Sequence, residues 1–252
     1  MTSGWTEFIA DNINRAETLA QKALALDPAS TTAYRLLAVV NLDRGRLDLA
    51  LRQTDRALEI NPSDAESYAT HGSILVWAGR AVDSLPWLEG ALRFDRTDAR
   101  ASLFLGMAYY LLDRYGEAVE PVDRALVGNL GRNTQLLGRP ILAATYAQLN
   151  SPADAERERT LVMRMSPFLD AERFASQFGT QAARDHMLEG LKKAGPSEIR
   201  LFQPIQRLVA RLLRAKLRGE PLGAEKRRHP HVVAGPLRSE LAGESFCVKE
   251  WD

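Results

Sequence analysis

The sequence predicts an all-α protein: a right-handed α-solenoid of stacked helical hairpins with C-terminal capping helices. Three observations predict it. The pairs Ala23-Leu24, Ala57-Leu58, Ala91-Leu92 and Ala125-Leu126 recur every thirty-four residues, the length of one helical hairpin and its turns. Pro28 and Pro62, Tyr34 and Tyr68, Gly45 and Gly79, and Gly72 and Gly106 keep the same interval. Breakers and small residues fall where a hairpin needs them, at its turns and at the crossing of its two helices. A chain of this kind buries its core between neighbouring units and offers a long curved surface instead of one closed cleft.

The unit Thr31–Asp64 sets the pattern. Its first helix is expected over Thr31–Arg44 and its second over Leu47–Ile60. Gly45 can take the left-handed conformation that ends a helix, and Pro62 cannot extend the one before it. Ser30 and Asp64 are placed to cap the helices that follow them. Ala38, Ala50 and Ala57 keep the crossing close, while Tyr34, Leu37, Leu42, Leu58 and Ile60 fill the space around it. The unit Ala65–Asp98 repeats this with Tyr68, Gly72, Gly79, Ala91, Leu92 and Phe94, but Ser84 replaces a small alanine. Pro86 is expected in the first turn of its helix, where a missing N–H costs little. The unit Ala99–Arg132 keeps Leu105, Gly106, Tyr109, Ala118, Ala125 and Leu126 and closes on Gly128-Asn129-Leu130-Gly131.

A fourth unit follows with its register shifted by about three residues: Leu142–Asn150, then Ala153–Met165, closed by Ser166-Pro167. Pro140 leaves the start of its first helix open. Upstream, a second helix is visible over Asn14–Leu26, and its partner would have to come from the first twelve residues. The array therefore spans residues 1–167, four to five hairpins with the first incomplete. Asp170–Phe178 and Gln181–Ala194 read as helices covering the last hairpin, because a solenoid end needs a cap. Ile199–Arg218 reads as a further amphipathic helix with Ile205, Leu208, Val209, Leu212 and Leu213 on one face, so the cap region is 168–218. Residues 219–252 are polar, rich in Gly and Pro and without periodicity, and are expected to be disordered.

Composition narrows the classes of function. The formal charge is +1, with 22 Lys+Arg against 25 Asp+Glu in residues 1–195 and 11 against 7 in 196–252. Global charge gives no case for nucleic acid. The cations on Ile199–Arg218 stand without the aromatics that stack bases, so no specific nucleic-acid partner is expected. No apolar run reaches a membrane span. The single cysteine, Cys247, excludes an intrachain disulfide and fits a cytoplasmic setting.

The thirty-four-residue unit resembles the tetratricopeptide repeat. Tyr68, Gly72 and Ala91 match its signature in one unit, Leu105-Gly106, Tyr109, Ala118 and Ala125 in the next, and Ala38, Gly45, Ala50, Ala57 and Pro62 in the one before. The resemblance covers about Asn14–Pro167. A narrower resemblance follows: Glu172–Phe178 and His186–Gly195 are similar to the closing segment of the repeat arrays at the C-terminus of bacterial class III adenylate or guanylate cyclases and of winged-helix regulators. That resemblance implies a regulatory part whose catalytic or DNA-binding part lies elsewhere.

The tetratricopeptide resemblance implies that the first helix of each hairpin lines a concave groove. Its inward places here are Arg35, Val39 and Leu42, then Ser73, Val76 and Trp77, then Arg100, Leu103, Met107 and Tyr110. Such an apolar wall with two arginines toward its mouth suits a helix or extended peptide with apolar anchors and one acidic group. The other reading is that Trp77, Leu103 and Tyr110 pack between repeats or against the array's own C-terminal helix. The family's carboxylate clamp is not expected, because the corresponding places are largely apolar.

No set of residues reads as catalytic. His71 lies in a repeat helix, His186 on the capping segment beside Asp185, and His229 and His231 flank Pro230 in the tail. No metal-ligand spacing or Gly-rich phosphate loop appears, and Glu117 and Glu120 fit solvated helix faces. No cofactor is expected. The sequence thus predicts a non-catalytic scaffold or adaptor for a protein or peptide partner. Two alternatives stand: a detached regulatory part of a cyclase or transcription regulator, and a homodimer that covers Ile9, Ile13 and Leu19 at the incomplete end.

Overall fold

Helix boundaries follow the breakers closely. The computed structural model describes residues 3–127, 131–166 and 169–195, all within one compact unit. Eleven helices and no strand are found among the described residues: α1 (Ser3–Leu26), α2 (Thr31–Asp43), α3 (Leu47–Ile60), α4 (Ala65–Trp77), α5 (Ala81–Phe94), α6 (Ala99–Leu111), α7 (Tyr115–Leu126), α8 (Arg132–Gln148), α9 (Pro152–Met165), α10 (Ala171–Ala175) and α11 (Gln181–Lys193). The helix expected over Ile199–Arg218, the tail, His229, His231 and Cys247 lie outside the described residues.

The hairpins are α2–α3, α4–α5, α6–α7 and α8–α9. Each second helix also packs on the first helix of the next hairpin, and the first helices pack on one another in sequence. The turn inside each hairpin holds one left-handed residue: Gly45 (φ +69°), Gly79 (φ +76°), Asp113 (φ +60°) and Asn150 (φ +56°). Their spacing is 34, 34 and then 37, so the three-residue shift of the last unit is visible in the backbone itself. The last two positions show that Asp and Asn tolerate this conformation where Gly is absent.

Small residues set the closeness of each crossing. Ala38, Ala50, Ala57, Ala91, Ala118 and Ala125 are all fully buried. At Gly72 a Cβ would come within 2.6 Å of Leu88 Cγ, and at Gly106 within 2.8 Å of the Ala118 carbonyl oxygen, a backbone atom that cannot move aside. Glycine is thus required there by close approach of the helices. Ser30 caps α2 by accepting from the Ala33 N–H at 3.4 Å, and Asp98 caps α6 by accepting from the Ala101 N–H at 2.9 Å. Asp64 occupies the equivalent place before α4, yet its carboxylate accepts from Arg35 and the Ser67 hydroxyl instead of the helix backbone.

Three expectations are corrected. The first element is one 24-residue helix, α1, with no turn between Ser3 and Leu26 and hence no partner helix from the first twelve residues. No Gly or Pro after Gly4 interrupts that stretch, so nothing in it stops the helix. Pro86 is the sixth residue of α5, not in its first turn, and its missing N–H removes the bond to the Val82 carbonyl on an exposed stretch. Pro140 stands inside α8, which begins ten residues before the clear apolar pattern at Leu142. Beyond the hairpins, α11 packs mainly on α8, the first helix of the last hairpin, and reaches back along the inner side to α6.

Candidate functional site: a half-open concave face

The inner face of the array is formed by α2, α4, α6 and α8. Its second half is filled by the chain itself. Phe178 follows α10 and rests on Trp77, with ring centroids 5.1 Å apart, and the Gly179 N–H donates to the Trp77 carbonyl at 2.7 Å. Trp77 in turn meets Phe104 edge-on at 5.8 Å. One helix further on, Tyr110 stacks on the imidazole of His186, centroids 4.8 Å apart, and its hydroxyl donates to the His186 carbonyl at 3.1 Å. The His186 Nε2 lies 2.9 Å from the Tyr115 hydroxyl, which donates to Asp113 at 2.6 Å. Since that hydroxyl proton is spent on Asp113, Nε2 is the donor of the pair.

The face that α11 turns inward is a stripe of small and flexible residues: Ala183, Met187, Gly190 and Ala194, spaced four, three and four. Gly190 lets α11 press against Tyr110, since a Cβ there would sit 3.1 Å from Tyr110 Cζ and 3.0 Å from Ala144 Cβ. Phe174, Phe178 and Met187 are each buried to under 5% exposure. Fully burying side chains of this size contributes roughly 1.5–3 kcal/mol apiece. The segment is therefore a structural part of the array. Burial also pushes the Tyr110 hydroxyl above its ordinary range, which keeps it protonated and able to donate at any moderate pH.

Of the ten residues expected to line a groove, Ser73, Val76, Leu103, Met107 and Tyr110 are buried and Trp77 is partly covered. Trp77 meets Phe178 and Phe104, and Tyr110 meets His186, so these aromatic side chains are engaged within the chain. Arg35, Val39, Leu42 and Arg100 remain at the surface in whole or part, with Val39 at 39% exposure. Leu36, one turn before Val39 on the same face, is 36% exposed. It was missed because its repeat partners Thr70 and Phe104 gave no common signal. The α11 stripe was legible in the spacing of Ala183, Met187, Gly190 and Ala194, but nothing in the sequence said which side of the array it covers.

The open half carries balanced charge. Arg35 is held between Asp64 and Glu66, both at 2.5 Å, with its side chain only 13% exposed. Its charge is committed inside the protein, which removes it as a receptor for an acidic group. Arg100 is exposed and reaches only the Thr70 hydroxyl, at 3.4 Å. Thr70 and Ser73 spend their own hydroxyl protons on the carbonyls of Glu66 and Thr70. At the far edge Asp43 has its carboxyl raised by partial burial. What the open half offers is an apolar strip, Leu36–Val39–Leu42, beside a mixed polar rim. No group of His, Cys, Asp and Glu able to hold a metal ion is found among the described residues, and no described helix is long and apolar enough to cross a membrane.

Stacked antiparallel hairpins with a concave inner wall define a helical-repeat solenoid, a class built for binding other chains. The tetratricopeptide repeat model matches residues 4–65 and 71–133, and the chain is a tetratricopeptide repeat protein. It is similar to the cytochrome c-type biogenesis protein CycH of Rhizobium meliloti (strain 1021), 29% identical over 112 residues. That match takes in 43% of this chain and 29% of the relative, so the chain spans less than a third of that protein. Among solved structures it is similar to PilW, described as a widely conserved type IV pilus biogenesis factor, at 21% identity and a TM-score of 0.54, covering 72% of this chain and 86% of PilW. It is similar also to TTC0263, a thermophilic tetratricopeptide repeat protein of Thermus thermophilus, at 21% identity and a TM-score of 0.54, covering 69% and 94%. At these identities the structural likeness speaks to the fold.

Proposed function

We propose that this chain is a non-catalytic protein-interaction module and that its partner, a peptide or helix, docks on the open half of the concave face. The observation that supports this is the uneven use of the inner wall: α11 packs on α8 and α6 and Phe178 on Trp77, while Leu36 and Val39 on α2 stay exposed beside a half-buried Leu42. An apolar strip with a polar rim is the pattern of a peptide-docking surface. Family membership supports the class of function, since tetratricopeptide repeats serve as interaction scaffolds. The narrower resemblance to cyclase and regulator C-terminal arrays rests on Glu172–Phe178 and His186–Gly195, residues whose packing here is explained by the inner wall.

The test uses the full chain as bait against lysate, beside a Leu36→Glu/Val39→Glu variant. Both positions are surface-exposed, so the melting temperature should stay within about 1 °C of wild type, surface changes being worth less than ~0.5 kcal/mol. Proteins retained by wild type and lost by the variant support the open half as the docking surface. An identical set retained by both contradicts it.

A further inference from the structure

One buried position recurs at each joint between hairpins, and it is polar at a single joint. At one repeat position of the first helices stand Leu37, His71, Leu105 and, after the three-residue register shift, Leu142. All four are buried, His71 to 6% exposure. Facing that place, the second helices carry Ala20, Thr54, Leu88 and Val122, again at thirty-four-residue intervals. The joint between α3 and α4 alone among these holds a polar pair, Thr54 and His71, where the others hold only apolar residues.

The pair is hydrogen-bonded in a way that fixes the imidazole. The Thr54 hydroxyl donates to the Leu51 carbonyl at 2.8 Å, so its oxygen accepts from His71 Nδ1, also at 2.8 Å. Asp55 Oδ1 lies 3.4 Å from the same nitrogen, and Trp87 from α5 stacks on the ring with centroids 3.9 Å apart. The neutral ring with its proton on Nδ1 is satisfied by these contacts. A second proton must go to Nε2 and places a full charge in the seam between α3, α4 and α5, where it costs solvation. The charged groups that bear on the ring are Asp55 of α3, which favours the cation, and Arg80 before α5, which opposes it. Burial outweighs the carboxylate and holds the imidazole below its ordinary range.

We infer that the joint between the first two hairpins is an acid-sensitive hinge, in which protonation of His71 loosens α3 from α4 and α5. The hinge sits under α2 and α4, the helices of the open concave half, so it alters the part of the array left free for a partner. The inference does not depend on the identity or existence of that partner.

His71→Leu restores the residue that the repeat places at this position and is expected to fold. Melting temperatures of the full chain and of this variant are to be compared from pH 7.5 to 5.5. Below the ordinary imidazole range the unfolded wild type takes up a proton that the folded form resists, so the wild type should fall behind the variant by at least roughly 2 °C across that interval. Hydrogen exchange at pH 5.5 should show faster exchange in α3 and α4 of the wild type than of the variant, with α6–α8 alike in both. Parallel melting profiles, or a loss of protection spread evenly over all hairpins, would overturn the inference.

Discussion

Replacing Gly190 by alanine tests the docking of α11 in a way that surface changes cannot. The new Cβ falls well inside contact distance of the Tyr110 hydroxyl, 3.1 Å from Tyr110 Cζ and 3.0 Å from Ala144 Cβ. Tyr110 is fully buried and pinned between His186 and Tyr115, so its ring cannot swing away. In a free helix the change gains about 1 kcal/mol of helix propensity. Against this stands overpacking of about 1–3 kcal/mol and loss of the Tyr110–His186 hydrogen bond, about 1 kcal/mol. The balance is a destabilisation of about 1–3 kcal/mol, or a drop of roughly 2–12 °C at 2–4 °C per kcal/mol for a chain of this size. Removing the offending oxygen should relieve most of it. In a Tyr110→Phe background the same alanine should cost less than about 1 kcal/mol, a coupling of about 1–2 kcal/mol between contacting residues. Thermal melts of the four proteins in the cycle measure this. Equal cost in both backgrounds, or a raised melting temperature for Gly190→Ala alone, would refute the placement of α11 against α6.

Other outcomes follow from the same structure. Ser102 is 1% exposed and its hydroxyl finds no hydrogen-bond partner among the described residues, so Ser102→Ala should leave stability unchanged or raise it by up to ~1 kcal/mol, read as a higher melting temperature. Gly45→Ala meets no neighbouring atom but must hold φ at +69°. It should therefore cost roughly 1 kcal/mol from backbone conformation alone, measured by denaturant midpoint with an unchanged slope. Glu158 is buried and accepts from Arg139 at 2.7 Å and Arg157 at 3.1 Å. Glu158→Ala takes the carboxylate from the half-buried Arg139, while Arg157 keeps Asp154, and should lower stability by about 1–3 kcal/mol; an exposed ion pair such as Arg80–Asp83 should lose less than about 1 when broken.

Much of the fold was legible because a hairpin repeat states its rules locally. Gly45 and Gly79 mark turns that only a left-handed residue can make, and Pro62 lies just past the end of α3. The interval of the alanines then fixes which faces meet, down to the three-residue shift seen at Asn150. Where reasoning from local signals failed, competing effects decided. Pro140 is a breaker by propensity, yet α8 runs through it because Ile141, Leu142 and Ala144 bury the same helix against its neighbours. The start of α1 had no signal to read, whereas its end at Leu26 is marked by Pro28. The groove was legible only in part: the inner places were correctly spaced, but burial of Met107 and Tyr110 depends on a segment some seventy-five residues later in the chain. Non-local contacts of that kind leave no periodic trace, and only the small-residue stripe on α11 hinted at a helix pressed close to another.

The array's own C-terminal segment occupies the inner wall from Trp77 at the end of α4 through α6 to α8, and leaves α2 outside its reach. Nuclear Overhauser contacts in the isotopically labelled full chain test it most directly. The account predicts cross-peaks from the Tyr110 ring to His186 and to the Gly190 α-protons, and from the Trp77 indole to the Phe178 ring, with none from Val39 to any residue of α11. A Tyr110 ring without contacts to α11, or contacts placing α11 on α2, would contradict it.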